Sequence, residues 1–188
     1  MKTPDLLGPK RLQELFRRHG VRPRKSLGQN FVIDPNTIRK VIDIAAVDPE
    51  ARVLEIGAGA GSLTLGLAAA AAHVTAVEVD PGLLPILAEV VSELPHVDIV
   101  AGDALTMDLT SLRADRMVAN LPYNVATPVV LRILEHAPQI TDLVVMTQRE
   151  VGERLAAAPG SKVYGAPTVA AAFFAEARVA GSVSRRAF

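Results

Sequence analysis

The chain has 188 residues, 49% hydrophobic and 21% charged, which suits one domain with a sizeable core. It contains no cysteine, which excludes a disulfide framework and a thiolate metal site, and its 20 basic and 20 acidic residues cancel. The first twenty residues lack a continuous apolar run, and the Ala-rich stretch Leu63–Val79 is broken by His73 and Glu78. Neither a signal peptide nor a membrane span is therefore expected, and a cytoplasmic protein is.

The zero net charge hides a segregation. Residues 1–40 hold ten Lys/Arg against three Asp/Glu (net +7), residues 41–111 one against eleven (−10), and residues 112–188 nine against six (+3). Single charge runs are often only solvated faces, but a basic arm of this strength points to a polyanionic partner.

In chain order, "LLGPKRLQELFRRHG" has Leu12, Leu15 and Phe16 at helical spacing among basic residues and predicts a short amphipathic helix ending at Gly20. "VRPRKSLGQNFVID" reads as a basic loop, and Asp34-Pro35 as a helix start with Asp34 as N-cap and Pro35 at the first position. The sequence then alternates. "RVLEIG", "HVTAVEVD", "VDIVAGD", "DRMVANLP" and "DLVVMTQ" read as strands. "GSLTLGLAAAAA", "GLLPILAEVVSEL", "TPVVLRILEHA" and "REVGERLAAA" read as the helices after four of them. Thr127 is expected to cap the third of these helices, with Pro128 at its first position. The tail "TVAAAFFAEARVAGSVSRRAF" predicts a helix and one last strand near Ala177–Val183. The alternation predicts an α/β fold with a mainly parallel sheet and helices on both faces.

Ligands of such sheets bind beyond the carboxyl ends of the strands. Those ends are "EIGAGAG", "EVD", "AGDAL", "NLPYN" and "TQRE", all polar or Gly-rich. In the first, Gly57, Gly59 and Gly61 let a strand-to-helix turn approach a ligand closely. The third glycine comes one residue too early for a dinucleotide fingerprint, where Ser62 stands instead, and no P-loop pattern occurs. Glu55, two residues before Gly57, would repel a pyrophosphate but suits an ammonium group. Glu78 can take two ribose hydroxyls, and the Asp103 carboxylate can accept from an adenine amino group. Ribose, adenine and a cationic amino-acid tail together describe S-adenosylmethionine.

At the end of the fourth strand, the Asn120 side-chain oxygen and a backbone carbonyl near Leu121 can accept the two N–H groups of an exocyclic amine. This makes the amine nitrogen pyramidal and nucleophilic. Pro122 stiffens the loop and Tyr123 offers a stacking face. A target base inside a duplex would have to be flipped out.

"GQNFVID", "VLEIGAGAGSLT", "VEVD", "GDAL", "NLPYNVATP" and "QREVGERLAAAPGSKVYG" occur in this order. Together they resemble the rRNA adenine N6,N6-dimethyltransferase family, in particular its Ksg-type branch, which dimethylates two adjacent adenosines near the 3′ end of small-subunit rRNA. The resemblance covers about Arg24 to Phe188. It implies the Rossmann-like class I methyltransferase fold and S-adenosylmethionine as cofactor, with S-adenosylhomocysteine as product and no metal. It also implies a role in ribosome biogenesis, a monomer, and the assembling small subunit as partner. By the same resemblance Gln29 and Asn30, with Phe31 beside them, close over the methionine end. Gly57, Gly59 and Gly61 form the cofactor loop with Glu55 behind it. Glu78 matches the ribose ligand and Asp103 the adenine ligand, and Val79, Ala104 and Asn120 also line the cofactor site. Asn120, Leu121, Pro122 and Tyr123 form the catalytic motif, and Arg22, Arg24 and Lys25 are placed to meet rRNA phosphates.

Residues 1–34 are accordingly expected to form a basic helix and loop, and residues 35–188 the catalytic domain. "GAPTVAAAFFAEARV" is more Ala-rich than the family's usual stretch. Family members continue beyond Phe188, an aromatic that resembles one facing the target base, with a Pro-rich motif, a strand and a small helical domain. A shortened chain with an open sheet edge is expected, and a cofactor-binding fragment without turnover is one reading of the chain as given. Two further readings stand beside the leading one: a large-subunit rRNA methylase of the erythromycin-resistance type, and a non-catalytic RNA-binding assembly or transcription module on the same fold.

Overall fold

The computed structural model describes residues 5–22, 31–184 and 187. Five short apolar runs become strands: β1 (Arg52–Ile56), β2 (His73–Glu78), β3 (Val97–Ala101), β4 (Arg116–Asn120) and β5 (Asp142–Met146). They pair in parallel in the order β3-β2-β1-β4-β5. The register sets Leu54 beside Thr75 on one side and Met117 on the other. The central strands are covered on both faces, so their residues are apolar without alternation: Val53, Leu54, Val74, Ala76, Met117, Val118 and Ala119 are all fully buried.

Seven helices complete the chain among the described residues: α1 (Pro9–Arg18), α2 (Pro35–Ala45), α3 (Ser62–Ala70), α4 (Leu84–Val90), α5 (Tyr123–His136), α6 (Arg149–Leu155) and α7 (Ala166–Phe174). On one face of the sheet Val53 and Val118 meet Leu63 and Leu67 of α3 and Ile38 and Val41 of α2. On the other, Leu54, Ile56, Met117 and Ala119 meet Val129 and Ile133 of α5. The start of α2 follows its sequence signal: Asp34 accepts the Asn36 and Thr37 N–H groups, each at 3.1 Å, and Pro35 opens the helix.

The N-terminal helix is fastened by packing more than by charge. Leu12, Leu15 and Phe16 of α1 are buried against Leu65 of α3 and Leu83 and Ile86 around the start of α4. Arg18 and His19 both reach Glu89 of α4, the latter at 2.7 Å, and these contacts hold the Glu89 carboxyl below its ordinary range, the His19 hydrogen bond most of all. Exposed pairs of this kind are screened by solvent and contribute little, whereas each buried apolar side chain contributes roughly 1.5–3 kcal/mol. Residues 1–34 thus include a helix that shares its core with α3 and α4.

Helices α2 and α3 touch at Gly66, where a Cβ would stand 2.6 Å from the Ile38 Cγ2 methyl. Alanine is worth about 1 kcal/mol more than glycine in a helix interior, but a clash with a rigid β-branched side chain costs roughly 1–3 kcal/mol. Gly66→Ala should therefore lower stability by about 1–2 kcal/mol in urea unfolding; a gain would show that the two helices can part at no cost.

Two expectations are corrected. Helix α5 begins at Tyr123, not after Thr127, because the Pro122 carbonyl accepts the Val125 and Ala126 N–H groups at 3.1 and 2.9 Å. Thr127 and Pro128 consequently lie inside the helix. No strand forms over Ala177–Val183: after α7 the chain crosses α2, where Lys40 Nζ donates to the Ser182 carbonyl at 2.7 Å and Gly181 lies against Ile44. Its backbone is engaged there and by solvent rather than by β5. No helix among the described residues is long and apolar enough to cross a membrane.

Candidate active site

The carboxyl ends of the strands are stitched into one continuous edge. The Gly102 N–H donates to the Glu78 carbonyl at 3.0 Å, and the Gly57 and Ala58 N–H groups to the Val77 carbonyl at 2.9 and 3.1 Å. On the other side the Leu121 N–H donates to the Met146 carbonyl at 2.9 Å. The chain order of the strands reverses between β1 and β4, and a parallel sheet opens its crevice at that point. Here the two expected motifs meet: a Cβ on Gly57 would stand 3.7 Å from the Asn120 carbonyl oxygen. Asp103, Glu78 and the glycine loop lie to one side of the switch point, and "NLPY" borders it on the other.

The loop takes a positive φ at all three glycines, and at two of them a side chain would also crowd a neighbour. Gly59 has φ +60°, and a Cβ there would come within 3.1 Å of the Phe31 ring. Gly61 has φ +89°, and a Cβ would come within 2.9 Å of Val90 Cγ1. Phe31 therefore lies directly on the loop, with its ring also edge-on to Phe16 at 5.0 Å. Gln29 and Asn30, expected beside it, fall outside the described residues, as do Arg24, Lys25 and Phe188. Arg22 is exposed just after α1.

Glu78 is 5% exposed and already holds the loop: Oε2 accepts from the Gly59 N–H at 2.6 Å and Oε1 from the Asp80 N–H at 2.7 Å. Burial raises its pKa, the N–H donors pull it back, and the Asp80 charge raises it further. Each oxygen keeps a second lone pair for a ligand. Beside it Val79 leaves an apolar surface 58% exposed. Asp103 is exposed, with Oδ1 closing a turn onto the Leu105 N–H at 2.9 Å, and Ala104 is buried behind it. Asn120 is half-buried, Leu121 buried, and Tyr123 exposed at the first turn of α5.

Glu55 is fully buried, and its Oε2 has no hydrogen-bond partner. Burial pushes its carboxyl up to about 8; the Thr64 hydroxyl pulls the other way but stands outside full hydrogen-bond geometry, and the Glu78 charge adds to the rise. Three more buried hydroxyls are unmet: Ser62 and Thr64 in the first turn of α3, and Thr147 just beyond β5. For Ser62 and Thr64 the signal in the sequence is a small hydroxyl directly after a glycine loop; Thr147 carries no such signal. An orphaned acid behind a glycine loop, and an acid on each of the next two strand ends, fit a nucleoside carrying a cationic tail. Among the described residues no cluster of His, Asp and Glu could hold a metal ion.

The sequence pattern of the ribosomal RNA adenine dimethylase family matches residues 20–188. A ribosomal RNA small subunit methyltransferase A of Leifsonia xyli is 50% identical over 193 residues, covering 100% of this chain and 69% of the relative. The protein of the same name in Streptomyces coelicolor is 49% identical, covering 99% and 68%. The chain thus spans about two thirds of the length of these relatives. Among solved structures, a dimethyladenosine transferase of Plasmodium falciparum superposes with a TM-score of 0.67 at 26% identity, covering 75% of this chain and 51% of that one. The 23S rRNA methyltransferase ErmE superposes with a TM-score of 0.62 at 34% identity, covering 68% and 51%. The family match runs from the loop after α1 through every strand end that borders the crevice, so the chain belongs to the ribosomal RNA adenine dimethylase family, Rossmann-like enzymes whose methyl donor is S-adenosylmethionine.

Proposed function

We propose that this chain is the catalytic part of an enzyme that dimethylates the N6 amines of two adjacent adenosines near the 3′ end of small-subunit rRNA. The observation that carries the reading is the meeting of the glycine loop and "NLPY" at the switch point, with Gly57 against the Asn120 carbonyl. The cofactor contributes an electrophilic methyl group. Glu55 receives its ammonium, Glu78 its ribose and Asp103 its adenine, with Val79 beside Glu78 and Ala104 beside Asp103, while Gln29, Asn30 and Phe31 close the methionine end over Gly57, Gly59 and Gly61.

On the acceptor side the Asn120 side-chain oxygen and the Leu121 carbonyl hold the hydrogens of the target amine, and Pro122 fixes the loop that carries them. Tyr123 stacks on the flipped base, which is worth about 1–3 kcal/mol. For each methyl gained the amine loses one proton, which passes to water, so no general base is required. Arg22, Arg24 and Lys25 meet phosphates of the assembling small subunit, in the cytoplasm and as a monomer.

Methyl groups from labelled S-adenosylmethionine should enter small subunits that lack this modification. The protein tested should contain this chain and match its relatives in length. Failure to incorporate label by a preparation that binds S-adenosylhomocysteine would overturn the reading. The likeness to ErmE supports a second one, a large-subunit target. Label entering protein-free large-subunit rRNA in preference to small subunits would favour it; the relatives at about 50% identity favour the first.

A further inference from the structure

Arg132 lies on α5, the helix that continues from the catalytic loop, and is half-buried. Its guanidinium is spent on two backbone carbonyls of the connection after β3: Nε donates to Ala104 O at 3.1 Å and Nη2 to Met107 O at 2.9 Å. It makes no ion pair with any described residue. Ala104 and Met107 belong to the turn, residues 103–107, that presents Asp103. Its Oδ1 accepts the Leu105 N–H, and its carbonyl accepts the Thr106 and Met107 N–H groups, all at 2.9 Å. The turn is thus closed on itself at one end and clamped to α5 at both Ala104 and Met107.

We propose that Arg132 is a positioning residue for the adenine end of the cofactor site: its planar fork fixes the Asp103–Met107 turn on the helix that begins with Tyr123. The proposal rests on the reading that Asp103 and Ala104 receive adenine. A guanidinium suits this task because its N–H groups are rigidly spaced and match two carbonyls at once, which an ammonium on a flexible stem does not. Charge-assisted bonds of this kind are about twice as strong as neutral ones. The arrangement also links the two halves of the site. The side chain that fixes the adenine turn and the loop that holds the acceptor amine belong to one helix, α5, with Arg132 on the part beyond Pro128.

The clamp can be separated from ordinary fold support because α5 holds the same connection a second time. Gln139, just past the end of α5, donates through Nε2 to Leu109 O at 3.0 Å and Leu112 O at 3.3 Å, well beyond the adenine turn. Arg132→Met should weaken S-adenosylhomocysteine and free adenosine alike, each by about tenfold in calorimetric titration. In steady-state assays the loss should appear in the KM for the cofactor with kcat nearly unchanged. Arg132→Lys should recover part of the affinity, and Gln139→Leu should lower the unfolding midpoint while leaving both dissociation constants at the wild-type value. Equal affinities in Arg132→Met and wild type, or equal losses in Arg132→Met and Gln139→Leu, would overturn the proposal. If Arg132→Met does not fold, Arg132→Lys against Gln139→Leu decides the same question. A wild-type protein that bound S-adenosylhomocysteine but not adenosine would point away from an adenine role for the turn, and one that bound neither would sink the underlying reading as well.

Discussion

Asn120→Ala should lower methyl transfer by about 10²–10³-fold while the dissociation constant for S-adenosylhomocysteine stays within about twofold, because the loss falls on charge developing at the amine and not on cofactor contacts. The backbone of the loop has holders besides this side chain. It is held by the Leu121 N–H on Met146 and by the Pro122 carbonyl on Val125 and Ala126. Gly57 faces the Asn120 carbonyl rather than the carboxamide, so the cofactor loop should also keep its place. Asn120→Asp retains oxygens that can accept both N–H groups and should fall between the two. Single-turnover transfer and titration of the same preparations separate the chemical step from binding. A loss of less than about tenfold in Asn120→Ala, with binding intact, would remove this residue from the chemistry.

The second large effect comes from Glu55. Its carboxyl is raised from an ordinary 4.5 to about 8 by burial at the end of β1. The group is therefore protonated in both folded and unfolded chains at low pH and has no effect on stability there. Between about 4.5 and 8 the unfolded chain ionises first, and stability falls as pH rises, by on the order of 5 kcal/mol once pH exceeds 8. This sign is opposite to that of a salt-bridged carboxylate. Glu55→Gln removes the titration, so the mutant should gain on the wild type steadily from pH 5 to pH 8.5 in urea unfolding. The charged groups facing Glu55 from the neighbouring strand reduce to Glu78, and from α3 only the Thr64 hydroxyl reaches it. A difference between the two proteins that does not change with pH would refute the assignment.

The same titration governs ligand capture if Glu55 meets an ammonium. Ionising it at pH 7 releases about one proton for each molecule bound, which appears as a dependence of the calorimetric heat on buffer. Affinity should rise about tenfold per pH unit below 8 in the wild type and stay flat in Glu55→Gln.

The strands and the crevice were legible because both follow from local pattern. Apolar runs of five or six residues that mostly alternate with helical periods point to parallel strands, and the polar segments that end them then share one edge. The start of α5 was not. Thr127-Pro128 is a sound helix-start signal taken alone, but the Pro122 carbonyl, fixed by the end of β4, captures the first N–H groups five residues earlier. The strand near Ala177–Val183 had suitable composition but nothing in its own sequence to say what it would pair with; the carbonyl of Ser182 goes to Lys40. Arg132 was invisible because an arginine on a helix reads as a solvated charge, and its partners come from a turn 28 and 25 residues earlier in the chain. The acid at Glu55 was seen, but its protonation depends on how completely the sheet and α3 enclose it.

Pro128 inside α5 also bears on motion. Proline has no N–H, so the carbonyl of Asn124, one turn back, has no helical donor, and the pyrrolidine ring crowds that same carbonyl. The first turn of α5 is thereby partly uncoupled from the ladder that follows it. The residues after the switch point can rearrange around an incoming nucleotide without melting the helix, while Val129, Val130 and Ile133 stay buried on the sheet and keep the far end of the rod still. On the proposed function, such a hinge would let one loop receive a base twice in succession, first as an amine and then as a methylamine, with a shift confined to a single turn.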